Sequence, residues 1–459
     1  MERRPSGIVR ENWPEVVTEQ GLTYWQTLLP DGSTRSYWSE SAHYAFSAAE
    51  VDQMHADLQT LMDMFVTAGD FILAHPELMD RMGIPGFARL EIARSWDRRD
   101  ADGEPVDWGS VYGRIDAVYG GNRFLDLQTT DAQDKFDEAL GRIRLYEFNA
   151  DTPTSVLETA IVQWSWFEAT RQGDDQWNGV FEMLVDAWKR NLAHAERELG
   201  RKPVIYFACT WYDNLLPEFV DAVPPDQRAE IRVEDCSYED LQNLRVMQET
   251  CRQAGYETQW LYVEQIHLGA DGRLYDGRFP DGEQRHLDVV FKLHAWEHIC
   301  AEPFGEAVFE DMAKPGGTIW IEPPYKMLWS NKGLLPVLWQ LFGRDAERSK
   351  LLIPAWFDGE QPDGLTSYVR KPLLGREGAN VTVVVDGQTV LSTPGPYGEE
   401  GFVVQAYAPP PNFVGFEGDN FPTLGLWYVD GEPAGLDLRE SSTVVVDNLS
   451  VCVPHVIRG

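Results

Sequence analysis

Tyr368–Val381 reads YVRKPLLGREGANV. A strand-like run delivers Lys371, and a loop carrying Gly375, Arg376 and Gly378 follows before NVTVVVDG resumes a strand pattern. Glycines free the loop backbone, and cations flank it, so the segment is equipped to close over a triphosphate. It is not a P-loop, because G-x-x-x-x-G-K-[ST] is absent, and it holds no G-x-G-x-x-G. Taken alone, a glycine-rich hairpin is more often an ordinary turn.

Outward from that loop, the C-terminal third continues as strands punctuated by Pro and Gly. FVVQAYAP, GLWYVDGEPAGLDLRE and STVVVDN read as strands, with Asp386-Gly387 and Asp430-Gly431 as hairpin turns. A helix, NKGLLPVLWQLFG, precedes them. The middle of the chain alternates differently. VIYFACT, TQWLYVEQI and LDVVFKL are strand-like, and LQNLRVMQETCRQAGY is helical and closed by Gly255, which predicts an α/β layer with parallel strands. Near the N-terminus, Ser47 and Glu50 form a capping box with Phe46 and Val51 as its staple. Met54, Leu58, Leu61, Met62 and Phe65 then mark the core face of a helix. RDADGEPVDWG reads as a loop, VYGRIDAVY and IRLYEFNA as strands, and the stretch from about Thr154 through VLETAIVQWSWFEA as a helix.

Three sets of residues carry possible chemistry. Residues i and i+2 on a strand share a face, so Arg114 points with Asp116 and Glu147 with Asn149. Two carboxylates and a carboxamide make an all-oxygen set suited to Mg²⁺ held partly by substrate phosphates; the competing reading is two surface strands with alternating polar residues. The second set is the Lys371 loop. The third is Gln405, placed to read a purine edge, with Arg439, placed for bidentate contact with an anion. Small polar residues in NADTPTS mark a helix N-terminus that favours an anion. His294 and His298 in HAWEH lie at i, i+4, but no H-E-x-x-H glutamate or third ligand stands nearby, so they read as packing residues. No G-x-S-x-G nucleophile motif occurs.

Composition narrows the function. With 39 basic against 74 acidic residues the chain carries −35, which argues against nucleic acid and anionic membrane as partners. Neither an 18-residue apolar run nor a signal-peptide pattern is found, and five widely spaced cysteines suit a reducing compartment, so a cytoplasmic location is expected.

Together these strings resemble the glutathionylspermidine synthase-like family of ATP-grasp ligases. LYEFNADTPTSVLETA, FKLHAWE, EPPYKMLWSNKGLLPVLWQLF, LLIPAWF, YVRKPLLGREGANV, GPYGEEGFVVQAY and AGLDLRE occur in family order over nearly the whole chain. The likeness is to the short acid–amine ligase branch, without the N-terminal amidase domain. It implies a mixed α/β (α+β) chain with an ATP-grasp fold and a pre-ATP-grasp α/β lobe. Residues 1–175 would hold an N-terminal helical region with the metal-binding strands, 176–325 the pre-ATP-grasp lobe, and 326–459 the nucleotide lobe, the catalytic unit being discontinuous. It implies ATP and Mg²⁺, an acyl phosphate, and a small-molecule acid and amine joined as an amide.

By position, the resemblance makes Asp116, Glu147 and Asn149 metal ligands. Arg114 and Arg439 become catalytic arginines. Lys332, Lys371, Gly375, Arg376, Gly378 and Gln405 become nucleotide contacts, with the Gly375–Asn380 loop as a lid. Thr152 and Thr154 fall near the acid substrate. One departure is a polar insertion over residues 120–141, which admits Phe136-Asp137 as a competitor to Ile115-Asp116; Arg114, two residues before Asp116, favours the latter. The net charge suggests a cationic amine, a di- or polyamine, and the family suggests a peptide acid such as glutathione. The alternative is a catalytically silent nucleotide-binding scaffold.

Overall fold

The computed structural model describes residues 1–28, 32–97, 109–120, 141–210, 239–279, 285–414 and 418–459. Strand β1 (Ala42–Ser47) runs directly into helix α1 (Ala48–Ala74). The capping box is made in both directions: the Glu50 amide donates to Ser47 Oγ at 3.2 Å, and the Ser47 amide donates to Glu50 Oε2 at 2.9 Å. The apolar face of α1 is fully buried at Met54, Leu58, Leu61 and Phe65. Phe65 stacks on Phe148, 4.8 Å between centroids, so α1 supports the strands that carry the acidic residues.

Those strands are β2 (Tyr112–Tyr119) and β3 (Ile143–Asn149), as the alternation of their sequences predicts. The loop RDADGEPVDWG, apart from Gly109, and the 120–141 insertion, apart from its two end residues, lie outside the described residues, and so does Phe136-Asp137. The downstream helix begins at Val156 rather than Thr154, because Ser155 adopts a left-handed φ of 73° that breaks helical geometry before it. A π-helical turn at Glu158–Val162 leads into Gln163–Thr170.

The middle of the chain supplies helix α2 (Val180–Leu199), β4 (Val204–Cys209), helix α3 (Glu239–Gln253), β5 (Glu257–Tyr262), β6 (Val289–Lys292) and β7 (Ile319–Ile321). Their order is β7-β6-β4-β5, and every pair is parallel, as expected from strands separated by helices. β6 and β7 are buried along their whole length, which explains their unbroken apolar runs.

After helix α4 (Leu334–Phe342) come β8 (Ala355–Phe357), β9 (Tyr368–Pro372), β10 (Thr382–Val385), β11 (Gln388–Ser392) and β12 (Phe402–Ala406). They form an antiparallel sheet ordered β8-β12-β9-β10-β11. β13 (Phe421–Val429), β14 (Glu432–Ser441) and β15 (Val451–Cys452) return to the early strands, giving a second antiparallel sheet, β15-β14-β13-β2-β3. Asp386-Gly387 and Asp430-Gly431 turn the two hairpins with positive φ at all four residues. STVVVDN does not form the expected strand. Ser441 and Thr443 hydroxyls both donate to the Val445 carbonyl, at 3.1 and 2.9 Å, and this local bonding competes with a ladder.

Candidate active site

Antiparallel pairing sets Asp116 opposite Glu147 and Arg114 opposite Asn149, so the four side chains share one face. Arg114 Nε donates to Asp116 Oδ1 at 2.7 Å, and Asn149 Nδ2 donates to Asp116 Oδ2 at 2.8 Å. Glu147 Oε2 lies 3.0 Å from Lys332 Nζ. Lys332 precedes α4 and also donates to the Gly375 carbonyl at 2.5 Å, which ties the acidic strand to the glycine loop. Burial pushes the Glu147 carboxyl up, but Lys332 and Lys371 outweigh it and hold it down at about 2. Burial raises Asp116 despite the attraction of Arg114.

Lys371 comes from β9. Its Nζ donates to Gln405 Oε1 at 2.8 Å, and Gln405 Nε2 donates to the Leu145 carbonyl at 3.1 Å. Gln405 therefore lines the site with its carboxamide bonded on both sides, holding Lys371 in place. Burial lowers Lys371 to about 8, with Lys332 adding to the effect and Glu147 opposing it.

These residues surround a cavity between the two antiparallel sheets. Asp116, Glu147, Lys332 and Lys371 line it together with Gly375, Arg376 and Gly378, while Val369, Val383, Ala406 and Ala408 provide apolar wall. At Gly378, φ is +67° and a Cβ would sit 2.5 Å from the Val446 carbonyl, so only glycine lets the loop rest there.

The NADTPTS segment is clamped from several sides. Arg376 Nη1 donates to Thr152 Oγ1 at 2.9 Å, and Arg114 Nη1 donates to the Thr154 carbonyl at 2.6 Å. The other arm of Arg376 donates to Glu297 at 2.7 Å. Asp151 and Lys292 form a buried ion pair beside them. Arg439 lies on β14, separated from β2 by β13, with its guanidinium 4.8 Å from the Tyr37 ring centroid and donating to the Asp447 and Ser450 carbonyls. Of the thirteen residues singled out from the sequence, Asp116, Glu147, Lys332, Lys371, Gly375, Arg376, Gly378 and Gln405 line the cavity, Arg114, Asn149 and Arg439 stand on the sheet of Asp116, and Thr152 and Thr154 lie on the segment held by Arg376 and Arg114. His294 is buried, with Nε2 3.3 Å from Glu302, away from any cluster of three potential ligands among the described residues.

Two acidic residues were not singled out. Asp437 is buried at 4% exposure, two residues before Arg439 on the same face of β14; that i, i+2 spacing was a usable signal. Burial raises it to about 7, against the attraction of Arg114. Glu158 opens the π-helical turn and accepts from Tyr37 at 2.7 Å and Tyr24 at 3.0 Å. Burial, reinforced by repulsion from Glu239, raises it to about 7. Nothing in the local sequence announces that turn, so Glu158 was legible only as a helix residue.

The donor chemistry fits a hard divalent cation. Asp116, Glu147 and the Asn149 carboxamide offer oxygen only, and too few protein ligands for a closed cage, which suits an ion that keeps water and phosphate oxygens.

A parallel α/β lobe beside two antiparallel sheets that enclose a cation-lined cavity is the architecture of an ATP-grasp ligase. The chain belongs to the glutathionylspermidine synthase preATP-grasp family, whose profile matches residues 4–458. It is 28% identical over 471 residues to a Haemophilus influenzae protein named "Putative acid–amine ligase", covering 99% of both chains. It is 22% identical over 437 residues to the bifunctional glutathionylspermidine synthetase/amidase of Escherichia coli, covering 90% of this chain and 59% of that protein. It is 20% identical over 343 residues to the trypanothione synthetase of Crithidia fasciculata, covering 69% of this chain and 46% of that one. The protein is an ATP-dependent ligase of the amide-forming, acid–amine type. Among the described residues no helix is long and apolar enough to cross a membrane.

Proposed function

We propose that the protein uses ATP to phosphorylate a carboxylate and then joins the acyl phosphate to an amine, yielding an amide, ADP and phosphate. The observation that carries this reading is the convergence of Glu147, Lys332 and Lys371 on one cavity whose remaining wall is partly apolar. A purine fits the apolar part, and the lysines neutralise phosphate oxygens. Asp116, Glu147 and Asn149 would hold Mg²⁺, which screens phosphate charge during transfer. The Gly375–Asn380 loop closes over the phosphates, and Arg376 links that loop to Thr152, coupling closure to the acid-binding segment. Arg114 and Arg439 stabilise the anionic acyl adduct by fixed charge, so no protein nucleophile is required.

The acid is proposed to be a peptide such as glutathione and the amine a di- or polyamine. The net charge of −35 supports a cationic amine. The test has two stages. ATP with Mg²⁺ should raise the Tm, and Lys371→Ala should abolish the shift; no shift at millimolar nucleotide defeats the reading. ADP formation is then screened over acids and amines, with mass spectrometry of the amide.

A further inference from the structure

Asp437 has an environment that the ion pairs of the site leave unresolved. It is 96% buried, by its 4% exposure, and neither carboxylate oxygen has a hydrogen-bond partner. Every other acidic group on this face is engaged: Asp116 by Arg114 and Asn149, Glu147 by Lys332. A buried, unpaired carboxylate is costly, and such a group is kept where a cation arrives to meet it.

Its position is set by the sheet. Asp437 pairs with Gly425 on β13, and Gly425 pairs in turn with Asp116 on β2, so Asp437, Asp116 and Glu147 stand in one row. A Cβ on Gly425 would lie 1.9 Å from Asp437 Oδ1 and 2.9 Å from Arg114 Cδ. The missing side chain is therefore what lets the carboxylate lie across β13, toward Arg114. Beside it, Arg439 Nε is a buried donor without a partner. Arg439 spends its other nitrogens on Tyr37 and two carbonyls, and Arg114 spends its own on Asp116 and Thr154. The slot thus offers acceptors at Asp437 and one donor at Arg439. That is the complement of a nitrogen bearing protons next to an oxygen bearing negative charge.

We propose that Asp437 binds the incoming amine as its ammonium and takes one proton from it, freeing the nitrogen lone pair to attack the acyl carbon; the bond to phosphate then breaks and the leaving phosphate carries off the second proton. This rests on the amide-forming reading above and adds the residue that discriminates an amine arriving protonated from one arriving neutral. Gly425 acts through Asp437 as a positioning residue.

The test compares wild type with Asp437→Asn, which keeps the shape and removes the charge. Calorimetry with spermidine, in the presence of Mg²⁺ and a non-hydrolysable ATP analogue, should show affinity falling at least about tenfold, the scale of losing one charge-assisted contact. With glutathione as acid, hydroxylamine is a largely neutral nucleophile near pH 7. The variant should therefore lose spermidine-dependent amide formation, through a raised KM, while retaining hydroxamate formation and the KM for ATP. Gly425→Ala, which keeps the carboxylate but displaces it, should reproduce the spermidine defect, and the Tm of Asp437→Asn should not fall.

The proposal is overturned if wild type binds no spermidine, if Asp437→Asn binds it equally well, or if spermidine and hydroxylamine reactions decline together. The last result would place the charge on the acid substrate. Failure of the ligase reading looks different: amine binding would depend on Asp437 while no ADP formed with any acid.

Discussion

The affinity for ATP should depend on pH in a range where ordinary lysines do not titrate, and Lys371 is the reason. Burial lowers this ammonium to about 8 from its usual 10.5. The charged form is the one that attracts phosphate, so binding favours the protonated enzyme. At pH 7 roughly nine in ten Lys371 side chains are charged, and at pH 9 roughly one in eleven. The competent fraction thus falls about tenfold, equivalent to about 1.4 kcal/mol of binding free energy, with affinity lost as pH rises. The terminal phosphate of ATP completes its own ionisation early in this interval, which adds negative charge as pH rises and so works against, not for, a loss of affinity. The assay is titration calorimetry or nucleotide-fluorescence displacement at pH 7, 8 and 9, in EDTA so that no metal adds its own charge. Lys371→Arg should bind with a flat profile, because a guanidinium stays charged. Lys371→Ala should bind weakly and also flatly. Wild-type affinity constant from pH 7 to 9, or the same slope in Lys371→Ala, would refute the assignment.

Two further perturbations test the surroundings. Arg376→Ala should lower stability by about 1–3 kcal/mol, because Glu297 is left without the guanidinium that now holds it down at about 2; Arg376→Ala with Glu297→Gln should recover much of the loss in thermal melts. Glu158 holds its proton up to about 7 in the folded chain but only to about 4.5 when unfolded. The folded state therefore binds more protons in that window, and stability falls as pH rises from 4.5 through 7, by on the order of 3 kcal/mol. Glu158→Gln should flatten the Tm across that interval and leave the variant more stable than wild type at pH 8; an unchanged pH profile would count against the burial of that carboxylate.

How far the sequence could be read follows from how local each feature is. A capping box is contained in four residues, and Ser47 and Glu50 bond as those four predict. Hairpins at Asp386-Gly387 and Asp430-Gly431 need only two residues of positive φ. The parallel strands β4 and β6 are apolar runs, and β4, β5 and β6 are each separated from the next by enough chain for a crossover. The run STVVVDN failed because β-propensity is a contest between ladder and local bonds, and here Ser441 and Thr443 decide it. Gln405 reads from its strand as a residue facing a base, and the bonds its carboxamide makes to Lys371 and Leu145 O, partners 34 and 260 residues away in sequence, are supplied by the fold alone.

The sequence by itself determined the face-sharing pairs: Arg114 with Asp116, Glu147 with Asn149, and Asp437 with Arg439. Period-two geometry makes these properties of the strand alone. Which pairs meet is another matter. Only the sheet order places β14 across Gly425 from β2, and only register sets Asp116 against Glu147 instead of one residue either way. A slip of one residue would turn each set to the opposite face, and nothing within either strand forbids it; the buried side chains around them do. The tertiary structure also decided the charge states. Burial pulls Lys371 and pushes Asp437 and Glu158 toward neutrality, while the lysines beside Glu147 keep it charged, and no spacing along the chain encodes that balance.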